Sequence, residues 1–182
     1  MTLSDERDFL KYFDDERYLL EEVGPRFRKS GEIDAADFYM MLIWKANRAK
    51  NHHLKRLKSM VPSGVFQDAV NRIATALSQN SEQKARLRVL MVEWEFRLPT
   101  ATAILTLLYP EEFTVYDYRV RDGVGFPRNL SYRTFSDRLW SDYVDFREMV
   151  EAGSPRGLSL RDKDRYLSGR SFRLQAERDS RA

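Results

Sequence analysis

Between its turns the chain places apolar residues at intervals of three and four, the spacing that gathers one face of a helix. Little of it alternates at the interval of two that marks a half-buried strand. Ile33-Asp34 reads as a staple residue followed by an N-cap, ahead of a buried stripe of Phe38, Met41 and Leu42 that extends toward Ala46 and Ala49. Val65, Ala69, Ile73, Ala76 and Leu77 form a second stripe, and Ser81 is placed to cap a third helix carrying Leu87, Leu90, Met91 and Trp94. Pro99 suits the first turn of a fourth helix, whose Ala103, Ile104, Leu107 and Leu108 precede a stop at Pro110. Ser131 is the expected cap of a long fifth helix through Phe135, Leu139, Tyr143, Phe146 and Val150, and Ser159 with Asp162 has the form of a capping box. Gly24-Pro25, Pro62-Ser63-Gly64, Asp122 to Asn129 and Gly153 to Gly157 read as turns inside one domain. The expectation is an all-α, compact multi-helix domain over 1–168, followed by a charged C-terminal tail over 169–182 that is poorly ordered.

Composition narrows the classes of function. At 182 residues the chain suits a single packed domain, and with no cysteine it has no disulfide framework, thiol nucleophile, zinc–thiolate site or iron–sulfur cluster. No apolar run approaches the 18 or so residues of a membrane span, and the start MTLSDERDFL lacks the features of a signal peptide, so a cytoplasmic protein without a membrane partner is expected. His52 and His53 are the only histidines, and neighbours on a helix diverge by about 100°. They cannot clamp one metal from a helix unaided, and they offer no nearby acid for a Ser-His-Asp triad. GVGFP at 123–127 has no strand before it, so it is no dinucleotide fingerprint, and neither a P-loop nor HExxH occurs. No cofactor and no metal is expected.

Charge points elsewhere. The formal net charge is only +3, yet the 31 basic residues comprise 23 arginines and 8 lysines. Eleven acids stand against six bases in residues 1–37, a net of −5, which leaves +8 on the remainder. In the stretch KANRAKNHHLKRLK, Lys45, Arg48, Lys50, Lys55, Arg56 and Lys58 occur with no acid between Asp37 and Asp68. Such a single-sign run concentrates anions near its surface, although a solvated helix end and loop carries the same pattern. Arginine is also the residue suited to bidentate recognition of phosphate or carboxylate, so the bias suggests an anionic partner, although a GC-rich genome produces the same bias.

The stretch EWEFRLPTATAILTLLYPEEFTVYDYRVRD, residues 93–122, resembles the helix-hairpin-helix DNA glycosylase superfamily. There a hairpin Leu-Pro-Gly-x-Gly precedes a helix beginning Thr-Ala, then a loop, then a catalytic aspartate at the start of another helix. Thr100-Ala101 falls on the helix start, Ile104-Leu105 on its apolar body and Val115-Tyr116-Asp117 on the end of the loop. Asp117-Tyr118 also looks like the Asp-Tyr of the alkylbase-removing branch. More loosely, Trp44-Lys45 with Arg48, Leu98 to Leu105 and Tyr116 to Arg119 resemble bacterial proteins built on a glycosylase-like core. The two hairpin glycines fall on Glu95 and Arg97, and the lysine that some members use as a Schiff base falls on Pro99, which has no amine.

The resemblance implies a monofunctional DNA glycosylase that hydrolyses the N-glycosidic bond of a damaged or modified base in duplex DNA. It makes Asp117 the catalytic carboxylate, with Trp94, Tyr116, Tyr118 and Trp44 available to stack on an extruded base. The helix start at Thr100, together with Arg119, Arg121, Arg128 and the 45–58 block, would follow the phosphates. Plainer roles exist for the same residues. Asp117 also suits an N-cap, Trp94 shares a stripe with Leu87 and Leu90, Trp44 suits core, and Thr100 and Thr102 suit a helix lining. The alternatives are a catalytically inactive nucleic-acid-binding or protein-interaction module with the same core, or an adaptor whose acidic N-terminus pairs with a basic partner or with its own basic block.

Overall fold

The computed structural model describes residues 9–181. The chain's first eight residues lie outside it, and with them Asp5, Glu6 and Asp8 of the acidic segment and most of the start expected to lack signal-peptide features. All regular structure among the described residues is helical, and no helix is long and apolar enough to cross a membrane. The chain divides into two compact units, Met1–Val89 and Leu90–Ala182.

In the first unit a 3-10 turn (Phe9–Tyr12) leads to α1 (Asp15–Tyr18), whose N-cap Asp14 accepts from the Arg17 N–H at 3.1 Å. A π-helical turn (Leu19–Val23) runs straight into α2 (Gly24–Ser30), with Pro25 just after the seam between them. Gly31 closes α2 at φ 74°, and a Cβ there would sit 3.1 Å from Ser78 Oγ, so both conformation and space call for glycine. Asp34 caps α3 (Ala35–Ala46) as expected, and Phe38, Met41 and Leu42 are buried. α4 (Lys50–Ser59), α5 (Phe66–Gln79) and α6 (Gln83–Arg88) complete the unit. Gln67 of α5 accepts from the Ala35 N–H at 2.7 Å and donates to the Ile33 carbonyl at 3.1 Å, tying α5 to the start of α3.

Two charged side chains are buried here among the described residues, Asp37 and Arg86, whose guanidinium donates to the Asn80 carbonyl at 2.8 Å. Asp37 accepts from the Tyr18 hydroxyl at 2.9 Å and from the Arg26 guanidinium, which links α1, α2 and α3. Burial raises the Asp37 carboxyl above its ordinary range, opposed by those two donors, and burial together with the Asp37 charge raises the Tyr18 phenol.

The second unit opens on a π-helical turn that begins at the end of the first (Val89–Glu93) and continues into α7 (Leu98–Leu108), α8 (Tyr118–Gly123), α9 (Asp137–Ala152) and α10 (Leu160–Asp179). α7 is buried at every position except Pro99, as befits a helix apolar on all sides. Leu139, Tyr143, Phe146 and Val150 of α9 are fully buried, and the Phe146 ring meets Tyr116 and Phe126 edge-on at 4.9 and 5.5 Å between centroids. Ser159 caps α10 as expected, its hydroxyl accepting from the Asp162 N–H at 3.1 Å, while the Asp162 carboxylate accepts from that hydroxyl at 2.8 Å rather than from the Ser159 N–H that a full capping box would use.

Four local expectations are corrected. α9 starts five residues later than predicted, because Ser136 rather than Ser131 makes the cap bond, to the Leu139 N–H at 3.1 Å, and Phe135 lies outside the helix. Ser81 does not cap α6; Glu82 holds that position without a side-chain bond. The buried stripe of α5 is Ala69, Val70, Ile73, Ala74 and Leu77, while Val65 is exposed. The chain beyond Gly169 is helical to Asp179. A glycine inside a helix costs about 1 kcal/mol, and contacts from α8 to Phe172 and Gln175 accompany the continued helix.

Candidate functional site

The segment 94–117 is held by a network of side-chain to backbone bonds. After the Val89–Glu93 turn the Phe96 N–H donates back to the Leu90 carbonyl at 2.9 Å, and the Phe96 ring is buried. Between them Glu95 has φ 52°, the sole non-glycine with positive φ among the described residues. A left-handed conformation costs an ordinary side chain about 1–2 kcal/mol, so the turn is retained at an energetic cost. Arg97 stands at the N-cap of α7 in extended conformation, and its carbonyl accepts from the N–H groups of Thr100 at 3.0 Å and Ala101 at 2.9 Å. This corrects the placing of Thr100 at the helix start: α7 starts at Leu98, the Thr100 N–H is bonded within the first turn, and its side chain is 9% exposed. An open groove of about 450 Å³ flanks the turn, lined by Val92, Glu95, Arg97, Tyr132 and Phe135 among others, with the Arg97 guanidinium 5.2 Å from the centre of the Tyr132 ring. Asp117 is not among its lining residues.

From α7 the chain crosses to α8 through a loop that is pinned at three successive residues. Thr114 exchanges bonds with the buried Tyr143 hydroxyl, its N–H donating at 3.1 Å and its carbonyl accepting at 2.8 Å. The Val115 N–H donates to the Asp164 carboxylate at 3.1 Å, and Asp164 also holds Arg161 at 2.7 Å, both side chains being buried. The Tyr116 N–H donates to Thr102 Oγ1 at 3.0 Å, and that hydroxyl donates in turn to the Leu98 carbonyl at 2.8 Å. Asp117 follows, half-buried at the head of α8, where its carboxylate accepts from the Arg119 N–H at 2.9 Å. The N-cap role weighed for Asp117 is therefore real, and the carboxylate is both fixed and partly open to solvent.

The tyrosines on either side of it part company. Tyr116 is 1% exposed, and its hydroxyl donates to the Arg128 carbonyl at 2.9 Å and accepts from the Leu130 N–H at 2.8 Å. Such a ring is core, unable to stack on a base without unpacking. Trp94 is buried as well. Tyr118 is 57% exposed, with the Arg119 guanidinium 5.1 Å from its ring centre. Of the predicted pocket residues in this unit, only Tyr118 faces solvent.

The arginines differ in the same way. Arg121 pairs with its neighbour Asp122 at 2.6 Å, and Arg128 pairs with Asp142 at 3.0 Å and Asp145 at 2.8 Å. The partners raise both guanidinium groups further above their ordinary value, Asp122 for Arg121 and Asp145 for Arg128. Arg119 instead donates to the Gln175 amide oxygen at 2.8 Å.

The remaining candidates belong to the first unit. Trp44, half-buried, and Lys45 lie on α3, Arg48 follows in the turn, and Lys50, Lys55, Arg56 and Lys58 lie on α4. The block is thus a helix end, a turn and a second helix. Arg56 and Lys58 occupy the last turn of α4, where cations suit the helix dipole, and Lys50 bonds to Asn47. Among these cations His53 is held neutral, its pKa lowered to about 4 by burial first and then by Arg56 and His52. No cluster of three or more His, Cys, Asp or Glu side chains able to hold a metal occurs among the described residues.

Sequence reasoning missed Asp164, Tyr143, Phe172 and Gln175, which hold the loop before Asp117 and the arginine after it. All four come from helices distant in sequence, so no local spacing signals them. Comparison with protein-family models, curated proteins and solved structures finds no match.

Proposed function

We propose that this chain is a DNA glycosylase-like protein that binds duplex DNA and hydrolyses the N-glycosidic bond of a damaged or modified base, with Asp117 as the catalytic carboxylate. The observation that carries the reading is a half-buried Asp117 at the end of a loop pinned by Tyr143, Asp164 and Thr102, so that one carboxylate is presented at a fixed address. The left-handed backbone at Glu95, where the resembling hairpin has glycine, adds support. In the reaction the bond from sugar carbon to base nitrogen breaks, positive charge builds on the sugar, and water adds to that carbon. The base leaves with the electron pair and takes up a proton. A fixed carboxylate stabilises the cationic sugar and accepts the proton of the attacking water.

A second reading, a nucleic-acid-binding module without base release, is favoured by the burial of Tyr116 and Trp94, which removes two of the rings offered to an extruded base. One experiment separates the two. Purified protein and its Asp117→Asn variant are screened for base release from duplexes carrying varied lesions, alongside duplex binding at several salt concentrations. Asn caps a helix about as well as Asp, whereas Ala costs about 1 kcal/mol, so the Asn variant keeps the fold while removing the charge. Release by wild type that disappears in Asp117→Asn, with affinity unchanged, supports the first reading. Salt-sensitive binding without release supports the second. No binding at low salt overturns both.

A further inference from the structure

The C-terminal stretch that reads as a tail builds a second cluster beside Asp117. Arg119 of α8 lies within reach of two aromatic rings, its guanidinium carbon 5.1 Å from the centre of Tyr118 and 5.6 Å from that of Phe172 on α10. Both rings are strongly exposed, Tyr118 at 57% and Phe172 at 64%. Gln175, one turn beyond Phe172, accepts from one guanidinium nitrogen of Arg119 at 2.8 Å and fixes the plane of the group. Unlike Arg121 and Arg128, Arg119 has no carboxylate partner among the described residues, so its charge is not neutralised and most of its five donors are uncommitted. Arg170, exposed on the same helix, likewise has no carboxylate partner there, and no acid occurs between Asp164 and Glu177.

Two exposed rings beside a flat cation that Gln175 holds form a costly arrangement for a surface that meets only water. Solvent-facing aromatics gain nothing from burial, and ordering the arginine loses side-chain entropy. It fits one occupant chemically: an unpaired nucleotide stretch, whose bases stack on the exposed rings and whose phosphate accepts from the spare guanidinium donors. Base stacking on aromatic side chains with arginine between them is how sequence-tolerant single-strand sites gain affinity. We propose that Tyr118, Arg119 and Phe172 form a stacking site for unpaired nucleotides of a nucleic-acid strand, assembled by the C-terminal half of α10. The proposal rests on the nucleic-acid reading above and deepens it, because it adds a contact to unstacked bases that duplex phosphate binding does not need.

The test is binding of fluorescein-labelled oligothymidylate, and separately of a labelled duplex, measured by anisotropy at low salt for wild type, Tyr118→Ala, Phe172→Ala and Tyr118→Phe. Thermal melting checks that the exposed substitutions leave the fold intact. Each alanine variant should weaken strand binding roughly 5- to 150-fold, the equivalent of one lost stacked base, with duplex affinity unchanged in Phe172→Ala, and Tyr118→Phe should bind the strand as wild type does. If wild type binds duplex and both alanine variants bind the strand as tightly as wild type, the stacking site is overturned and the duplex-binding reading stands. If wild type binds neither strand nor duplex, both fall together.

Discussion

Two stretches carry the chemistry that first distinguishes this chain, residues 45–58 and residues 94–117, and the fold treats them in opposite ways. The first is a helix end, a turn and a helix, with Arg48, Lys55 and Lys58 exposed and Lys45, Lys50 and Arg56 half-buried. The second is stitched down by Tyr143, Asp164 and Thr102, so that three consecutive backbone N–H groups before Asp117 are all bonded to side chains. A surface that attracts phosphates needs charge in roughly the right place, because its attraction falls off slowly with distance. A carboxylate that stabilises a developing cation needs a position defined to a fraction of an ångström, because reaction rates depend steeply on geometry.

That contrast can be broken most sharply at Asp164. Asp164→Ala strips the buried Arg161 of its carboxylate and leaves the Val115 N–H without its acceptor. Removing one partner of such a pair costs about 3–5 kcal/mol, and chemical denaturation should show a loss of that size, with Lys55→Ala as the near-neutral counterpart in the solvated block.

A middle-sized effect sharpens the other side. His53 has its folded pKa lowered to about 4 against an ordinary value of 6.5. Above pH 6.5 neither state holds the proton. As pH falls toward 4 the unfolded chain takes it up and the folded one does not, so folding weakens across that window and levels off below it. After allowance for partial exposure the loss is on the order of 1–2 kcal/mol. It appears as the pH-dependent difference in stability between wild type and His53→Gln; a difference flat from pH 7 to 4 contradicts it.

The smallest effect concerns the turn. Glu95→Gly relieves the left-handed strain at φ 52° but adds backbone freedom to the unfolded chain. The balance should be a gain of about 0.5–1 kcal/mol, read as a modest rise in melting temperature. A fall would mean that the Glu95 side chain contributes more than its backbone costs.

Much of the helical framework was legible because its signals are local. Asp34, Pro99 and Ser159 mark helix starts within one turn of themselves, and they hold. The misplaced start at Ser131 shows the limit: a serine with a cap's composition stands five residues before the one that makes the cap bond, Ser136, and only the folded backbone distinguishes them. At the candidate site Asp117 was legible as a residue that caps a helix and invites a catalytic role. The different fates of Tyr116 and Tyr118 were not, since residues two apart at a loop-to-helix junction can face either way.

From the sequence alone follow an all-helical chain, a basic remainder after an acidic start, and one aspartate at a helix head worth testing. Each is a property of composition or of short-range spacing. Only the tertiary structure decided that Asp164 and Tyr143 pin the loop before Asp117, and that Phe172 and Gln175 of a presumed tail stand against Arg119. Those contacts join residues separated by 29 to 56 positions, and at such separations pairing is set by how helices pack, which no local pattern records.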